Sequence, residues 1–235
     1  MFTFKQFAVE QDRCAMKIGT DGVLLGAWTP IDNNPFSVLD IGTGTGIIGL
    51  MLAQRSNAEQ IDALEIDEDA YEQATDNFEN SPWSDRLFCY HAGLDEFVAE
   101  PEDEYDIIVS NPPFYTEDYK TENEQRDIAR FADAMPFEDL IEAADLLLSE
   151  NGILSVIIPF NEEENFLAIA AAYELYPIKI TRVKGTPTTE IKRSLLAFTR
   201  KETIDFLVDE LIIETARHIY TAEYIELTKD FYLKM

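Results

Sequence analysis

Early in the chain, Phe36-Ser-Val-Leu-Asp-Ile41 runs into Gly42-Thr-Gly44-Thr-Gly46, and a second apolar run opens at Ile47. Few folds accommodate this. A buried run of strand length enters three alternating glycines, and the run from Ile47 reads as a helix. Such glycines allow a tight strand-to-helix turn and let backbone approach a ligand closely. The pattern is not the dinucleotide fingerprint G-x-G-x-x-G, because Ile47 stands where its third glycine would be. Asp40, just before the glycines, would set a carboxylate against a pyrophosphate. A ligand that carries an amino acid and an adenosine tolerates it.

The rest of the chain repeats the alternation. Strand-like runs cover 36–41, 60–66, 86–91, 105–110, 153–158, 178–183 and 194–199. Helix-like runs cover 47–54, 68–78, 137–148 and 162–173, and Asn151-Gly152 reads as the cap that closes the third of these. Residues 105–110, Tyr-Asp-Ile-Ile-Val-Ser, are continuous and β-branched, as the centre of a parallel sheet should be. The expectation is an α/β fold with a seven-stranded, mostly parallel sheet, its last strand antiparallel and helices on both faces. A length of 235 residues suits one domain over 36–235 with an N-terminal extension over 1–35. Ligands in such sheets bind beyond the carboxyl ends of the strands.

Two further motifs fall at such ends. Glu65 closes the second strand-like run, about 20 residues after the glycines, where an acid accepts hydrogen bonds from ribose hydroxyls. Asp67 beside it reads better as the cap of the next helix. The fourth run ends in Asn111-Pro112-Pro113-Phe114. The prolines stiffen the turn and restrict the residues before them. The Asn111 side-chain carbonyl and the Pro112 backbone carbonyl can then accept both hydrogens of a planar NH2 group, with Phe114 stacked on the ring that bears it. Such a nitrogen is a poor nucleophile because its lone pair is delocalised. Two acceptors that draw it toward tetrahedral geometry free that lone pair without a strong general base.

Together, the glycine loop with its acid, the strand-end Glu65 and the NPPF motif resemble the S-adenosylmethionine-dependent amino-methyltransferases. Those enzymes methylate exocyclic amines of adenine or guanine, or the side-chain amide of glutamine. The stretch 16–28, Met-Lys-Ile-Gly-Thr-Asp-Gly-Val-Leu-Leu-Gly-Ala-Trp, and the closing segment 220–235 narrow the likeness. Over essentially its whole length the chain resembles the bacterial tRNA1(Val) adenine-37 N6-methyltransferase family. The resemblance implies a Class I, Rossmann-like methyltransferase fold, S-adenosylmethionine as methyl donor and a tRNA substrate. It implies that Asp40, Gly42, Gly44, Gly46 and Glu65 hold the cofactor. It also implies that Lys17, Thr20 and Asp21 belong to a segment that covers it, though Thr20 or Asp21 could equally cap a helix. It assigns the amine site to Asn111, Pro112, Pro113 and Phe114. Two departures stand out. Where the family places an acid or amide that reads the cofactor's adenine, this chain has His91-Ala92-Gly93-Leu94, so either Ala92 backbone or Asp95 does that task or it goes undone. Arg130-Phe131 stands where an Arg-His pair is expected.

Charge opposes RNA binding at first sight. The net charge is −28. Seven of the 18 basic residues nevertheless lie between 179 and 201, against Glu190 alone. Lys179, Arg182, Lys184, Lys192 and Arg193 are the candidates for RNA-backbone contact, with ordinary edge solvation as the alternative. His91 and His218, the only histidines, read as ordinary polar residues, and Glu162 to Glu164 as a solvated helix start. Two cysteines exclude a disulfide scaffold and a four-cysteine zinc site. No metal is expected, no run of about 18 apolar residues spans a membrane, and the start of the chain lacks a signal peptide's pattern. A monomeric cytoplasmic enzyme is the expectation. Rival readings are methylation of another planar amine (an rRNA or DNA base, or a protein glutamine), a non-catalytic cofactor-binding module, and a nicotinamide oxidoreductase.

Overall fold

The computed structural model describes residues 1–99, 104–113, 135–202 and 205–235. Helices are α1 (Thr20–Trp28), α2 (Ile47–Arg55), α3 (Glu68–Glu79), α4 (Leu94–Ala99), α5 (Phe137–Leu147), α6 (Glu163–Ala172) and α7 (Ala222–Thr228). Strands β1 (Phe2–Thr3) and β2 (Ala8–Val9) form a small antiparallel pair, as do β11 (Glu214–Ala216) and β12 (Ile219–Tyr220). The main sheet holds β3 (Ser37–Ile41), β4 (Gln60–Glu65), β5 (Leu87–His91), β6 (Tyr105–Ser110), β7 (Leu148–Pro159), β8 (Tyr176–Lys184), β9 (Ile191–Thr199) and β10 (Leu207–Ile212).

Their order is β10-β8-β9-β7-β6-β3-β4-β5. The expected class holds, but among the described residues the sheet has eight strands, not seven. The addition is β10, which pairs parallel with β8 along the edge. Its sequence, Leu-Val-Asp-Glu-Leu-Ile, lacks the two-residue alternation that marks a strand; its pairing with β8 makes it one. The antiparallel strand is β9, inserted between β7 and β8. From β3 the chain steps to β4 and β5 on one side, then returns to β6 and β7 on the other. The order therefore reverses at β3–β6, where such sheets leave a crevice for ligands.

The Asn151-Gly152 cap does not exist. Helix α5 ends at Leu147 and strand β7 starts at once. The β6–β7 register slips there, from Tyr105 opposite Leu148 to Ile107 opposite Ile153. Gly152 serves close packing: a Cβ on it would lie 2.7 Å from Leu148 Cγ and 2.9 Å from the Tyr105 carbonyl oxygen.

Two apolar clusters cover the two faces. One gathers α1, α2, Phe78 of α3 and the two chain ends, with Phe4, Phe7, Val9 and Phe231 buried. The other gathers α5 and α6 around Leu39, Ile108 and Phe198. Residues 1–35 thus share a core with the sheet. The chain ends meet: Lys5 N–H donates to the Phe231 carbonyl at 2.8 Å, and Lys5 Nζ to the Met235 carbonyl at 3.0 Å. No helix among the described residues is long and apolar enough to cross a membrane.

Candidate active site

Parallel register lines up the motifs. Ile41 faces Ser110 on β6 and Leu64 on β4, and Glu65 faces His91 on β5. Asn111, Gly42, Glu65 and Ala92 therefore leave the sheet along one edge. Ser110 Oγ donates to the Ile41 carbonyl at 2.9 Å, which ties the end of β6 to the glycine loop. Asn111 and Pro113 are half-buried and Pro112 is buried. Phe114, like Arg130 and Phe131, lies outside the described residues.

All three glycines have left-handed backbone, with φ of 71°, 57° and 79° at Gly42, Gly44 and Gly46. They do different work. A Cβ at Gly42 or Gly44 would meet nothing within 4 Å, so both border open space. A Cβ at Gly46 would lie 2.6 Å from Phe78 Cε1. Gly46 lets the start of α2 pack on α3.

Two carboxylates set the loop. Asp40 is fully buried; its Oδ2 accepts from Thr43 Oγ1 at 2.6 Å and from Gly49 N–H at 3.2 Å. Its Oδ1 is buried with no hydrogen-bond partner among the described residues. Burial pushes this carboxyl up to about 7, against the lowering effect of its two donors. Glu65 is gripped by backbone: Oε2 accepts from Gly44 N–H at 2.8 Å, and Oε1 from Ile66 and Asp67 N–H at 2.9 and 3.0 Å. Oε1 has both lone pairs engaged, while Oε2, with one bond made, still has a lone pair to offer a ribose hydroxyl. Asp67 caps α3, accepting from Ala70 N–H at 2.8 Å, as its position predicted.

Ala92 and Asp95, the residues expected at the cofactor's adenine, follow β5 at this edge. Ala92 N–H donates to the Glu65 carbonyl at 3.2 Å. The Asp95 carboxylate folds over Gly93, 2.7 Å from where a Cβ would be, with Ile66 3.8 Å away. Ile66 itself is 68% exposed, an apolar side chain next to Glu65 that the sequence did not single out. His91 stacks on Tyr71 with ring centroids 5.2 Å apart, and its Nε2 lies 3.0 Å from the Ile66 carbonyl.

The N-terminal segment is clamped onto this region by two buried side chains of α3 that sequence reasoning passed over. Asn77 accepts from Glu10 N–H at 2.8 Å and donates to the carbonyls of Glu10 and Thr45, each at 2.9 Å. Gln73 accepts from Arg13 N–H at 3.2 Å. The only available signal was spacing: positions 73 and 77 flank the apolar stripe of Ala70, Ala74 and Phe78. The Cys14 thiol is raised to about 11 by burial and then by the charge of Glu65, which sets this segment beside the site. Helix α1 starts at Thr20, and its N-cap is Gly19 without a side-chain bond, so neither Thr20 nor Asp21 caps it. Asp21 instead pairs with Arg193 Nε at 2.8 Å. Thr20 and Lys17 are exposed.

The basic run divides. Lys184, Lys192 and Arg193 flank the β8–β9 turn at the same edge as the motifs, since Arg193 faces Pro159 at the carboxyl end of β7. Lys179 sits mid-strand over the Trp28 ring, 4.6 Å from its centroid. Lys184 pairs with Glu210 at 2.7 Å, and Arg182 with Glu163 at 2.7 Å. Glu163 is 3% exposed, so the helix start read as solvated carries a buried carboxylate, paired with a partly exposed arginine. Among the described residues Lys192 has no acidic partner. Those residues also contain no group of three His, Cys, Asp or Glu that could hold a metal.

The family model described as Methyltransferase small domain matches residues 24–168. A tRNA1(Val) (adenine(37)-N6)-methyltransferase of Flavobacterium johnsoniae is 76% identical over 235 residues, covering 100% of both chains. The chain belongs to that family. Members from Flavobacterium psychrophilum, 77% identical over 100% of both chains, and Phocaeicola vulgatus, 49% identical over 100% of this chain and 98% of its own, extend the match. Among solved structures, a predicted O-methyltransferase from Agrobacterium tumefaciens superposes with a TM-score of 0.70 at 21% identity, covering 90% of this chain and 96% of that one. A ribosomal protein L11 methylase from Lactobacillus delbrueckii gives 0.54 at 18% identity over 77% of each chain. These likenesses establish the Class I methyltransferase fold. S-adenosylmethionine is the methyl donor of the family, and the residues fit it: open space fronts Gly42 and Gly44, and Asp40 and Glu65 suit a ligand bearing ammonium and sulfonium charges. A pyrophosphate would face the same acids at a cost.

Proposed function

We propose that this chain transfers a methyl group from S-adenosylmethionine to the exocyclic N6 of adenine 37 in the anticodon loop of tRNA1(Val), in the cytoplasm. The observation that carries the reading is the adjacency of β3 and β6. That pairing sets Asn111-Pro112-Pro113 beside the open glycine loop. Bound there, S-adenosylmethionine supplies a methyl group on a cationic sulfur. Gly42, Gly44 and Glu65 hold it, Asp40 underpins the loop, and Ala92 and Asp95 border its adenine. Asn111 Oδ1 and the Pro112 carbonyl accept from the two amine hydrogens, draw the nitrogen toward tetrahedral geometry and aim its lone pair. Positioning of this kind supplies much of a barrier's reduction. The nitrogen sheds its proton to water after the new bond forms, so no strong base is needed. To Phe114, the last residue of the motif, we assign the stacking on the adenine. Residues 1–35, clamped by Asn77 and Gln73, close the site, with Lys17, Thr20 and Asp21 at its rim.

An anticodon-loop base suits such a site because it can be splayed out and read on an aromatic face. The test is methyl transfer to unmodified total tRNA, followed by digestion and mass spectrometry. N6-methyladenosine is expected, and Asn111→Ala should reduce it by about 100-fold or more, the scale of a lost preorganised polar contact at a reacting group, while S-adenosylmethionine binding persists. A methylated guanosine, or no methylated nucleoside with binding intact, overturns the reading.

A further inference from the structure

The carboxyl edge of the sheet carries an aromatic ring that neither apolar cluster absorbs. Phe160 is the first residue beyond Pro159, where β7 ends, in the 3-10 turn Phe160–Glu162 that leads into α6. It is 36% exposed and packs into neither core. The Arg182 guanidinium lies over the ring, its Cζ 5.5 Å from the centroid.

This pair is fixed from beneath. Glu163 accepts from Arg182 Nε at 3.1 and 3.2 Å on its two oxygens, and from Nη2 at 2.7 Å. It also accepts from Ser194 Oγ, which is fully buried. A buried carboxylate adds little net stability even when paired. What a forked Glu–Arg pair does supply is orientation, since the planar guanidinium has its geometry set by the carboxylate. An exposed ring beside a planar, oriented cation is the combination on which unstacked nucleobases settle.

Its place in the fold gives it an occupant. Ser110 faces Val156 across β6 and β7, so Asn111 and Pro112 leave the sheet next to Ile157 and Ile158. Phe160 stands just beyond, one strand away, about 4.8 Å across the sheet. A base drawn into the amine site strips its neighbours of one stacking partner. We propose that Phe160 and Arg182 form a stacking subsite for a nucleobase adjacent to the target adenine. The proposal rests on tRNA being the substrate.

The test uses the full chain and three full-length tRNA1(Val) molecules: intact, abasic at position 36 and abasic at position 38. With intact tRNA, Phe160→Ala should raise KM for tRNA about tenfold, the scale of one lost base–aromatic stack, leaving KM for S-adenosylmethionine unchanged. Phe160→Trp should restore it. On one of the two abasic tRNAs, Phe160→Ala and the natural chain should agree within twofold. Arg182→Lys, which keeps charge but loses the fork, should behave as a milder Phe160→Ala. A KM within twofold of the natural chain on intact tRNA overturns the subsite. So does an equal loss on both abasic tRNAs, which would make the ring structural. Absence of adenine methylation by the natural chain on intact tRNA overturns the substrate reading itself, and the subsite with it.

Discussion

The two halves of the sheet's carboxyl edge are built by different means. On the β3–β5 side, backbone does the work. Left-handed glycines open the space, and Glu65 is held by three N–H groups. On the β7–β9 side, charged side chains do it: Arg182 with Glu163, Lys184 with Glu210, Arg193 with Asp21. Backbone geometry suits a ligand of constant shape, because a loop's φ angles admit little adjustment. Arg182 is held on the buried Glu163, but the Lys184–Glu210 and Arg193–Asp21 pairs lie nearer the surface, where ion pairs are weak, which suits a large anionic substrate that must come and go.

The sharpest way to break this comparison is within the loop itself. Gly46 and Gly44 share left-handed backbone but differ in surroundings. Gly46→Ala adds strain of about 1–2 kcal/mol and a collision with Phe78 worth about 1–3 kcal/mol more. Gly44→Ala adds the strain alone. Thermal unfolding should therefore place Gly46→Ala well below Gly44→Ala. Isothermal titration with S-adenosylmethionine should show Gly44→Ala weakened out of proportion to its stability. Equal melting temperatures would mean that Phe78 yields, and that Gly46 too serves the ligand.

The same two halves differ in how legible they are in the sequence. The β3–β6 motifs were legible because glycine, proline and a strand-end acid act through local geometry. Asp40, Glu65 and Asn111 fall at strand ends whichever strands they pair with. The β7–β10 side was not, because its chemistry depends on which strands become neighbours. Glu163 looks like any acid at a helix start until β8 and β9 bring Arg182 and Ser194 to it. Strand β10 exists through its pairing with β8. Asn77 reads as a helix residue, and only the fold shows it holding Glu10 and Thr45 at once. The basic run was visible as composition, but composition could not separate Lys179, stacked on Trp28, from Lys192.

A smaller effect comes from Asp40. Its folded-state value, raised to about 7, lies above the ordinary 3.8 because burial disfavours the charge. The folded chain therefore holds this proton where the unfolded chain has lost it, and this group's contribution to stability falls as pH rises from about 4 to about 7 and is flat above. Asp40→Asn mimics the neutral form and should flatten that fall. Urea unfolding of both chains at pH 5 and pH 8 checks it: the variant should gain on the natural chain at pH 8. A gap of the same size at both pH values would show that Asp40 is already ionised at pH 5.

The mildest effect separates two lysines at the same turn. Lys184 is committed to Glu210, while Lys192 has no acidic partner among the described residues. A phosphate contact releases condensed counterions, so each lysine that touches RNA steepens the salt dependence of binding. Lys192→Ala should weaken tRNA binding several-fold at low salt and lower the slope of log affinity against log salt by about one. Lys184→Ala should change the slope by less, because its charge is already balanced; Glu210→Ala, which frees Lys184, should steepen it. Filter binding across a salt series reads all three. If Lys184→Ala and Lys192→Ala flatten the slope equally, the Lys184–Glu210 pair opens for RNA, and the ion pairs of this edge are reserves of positive charge that only the substrate releases. If neither moves it, the phosphate contacts lie elsewhere, and the acidic body of this chain engages tRNA through the site alone.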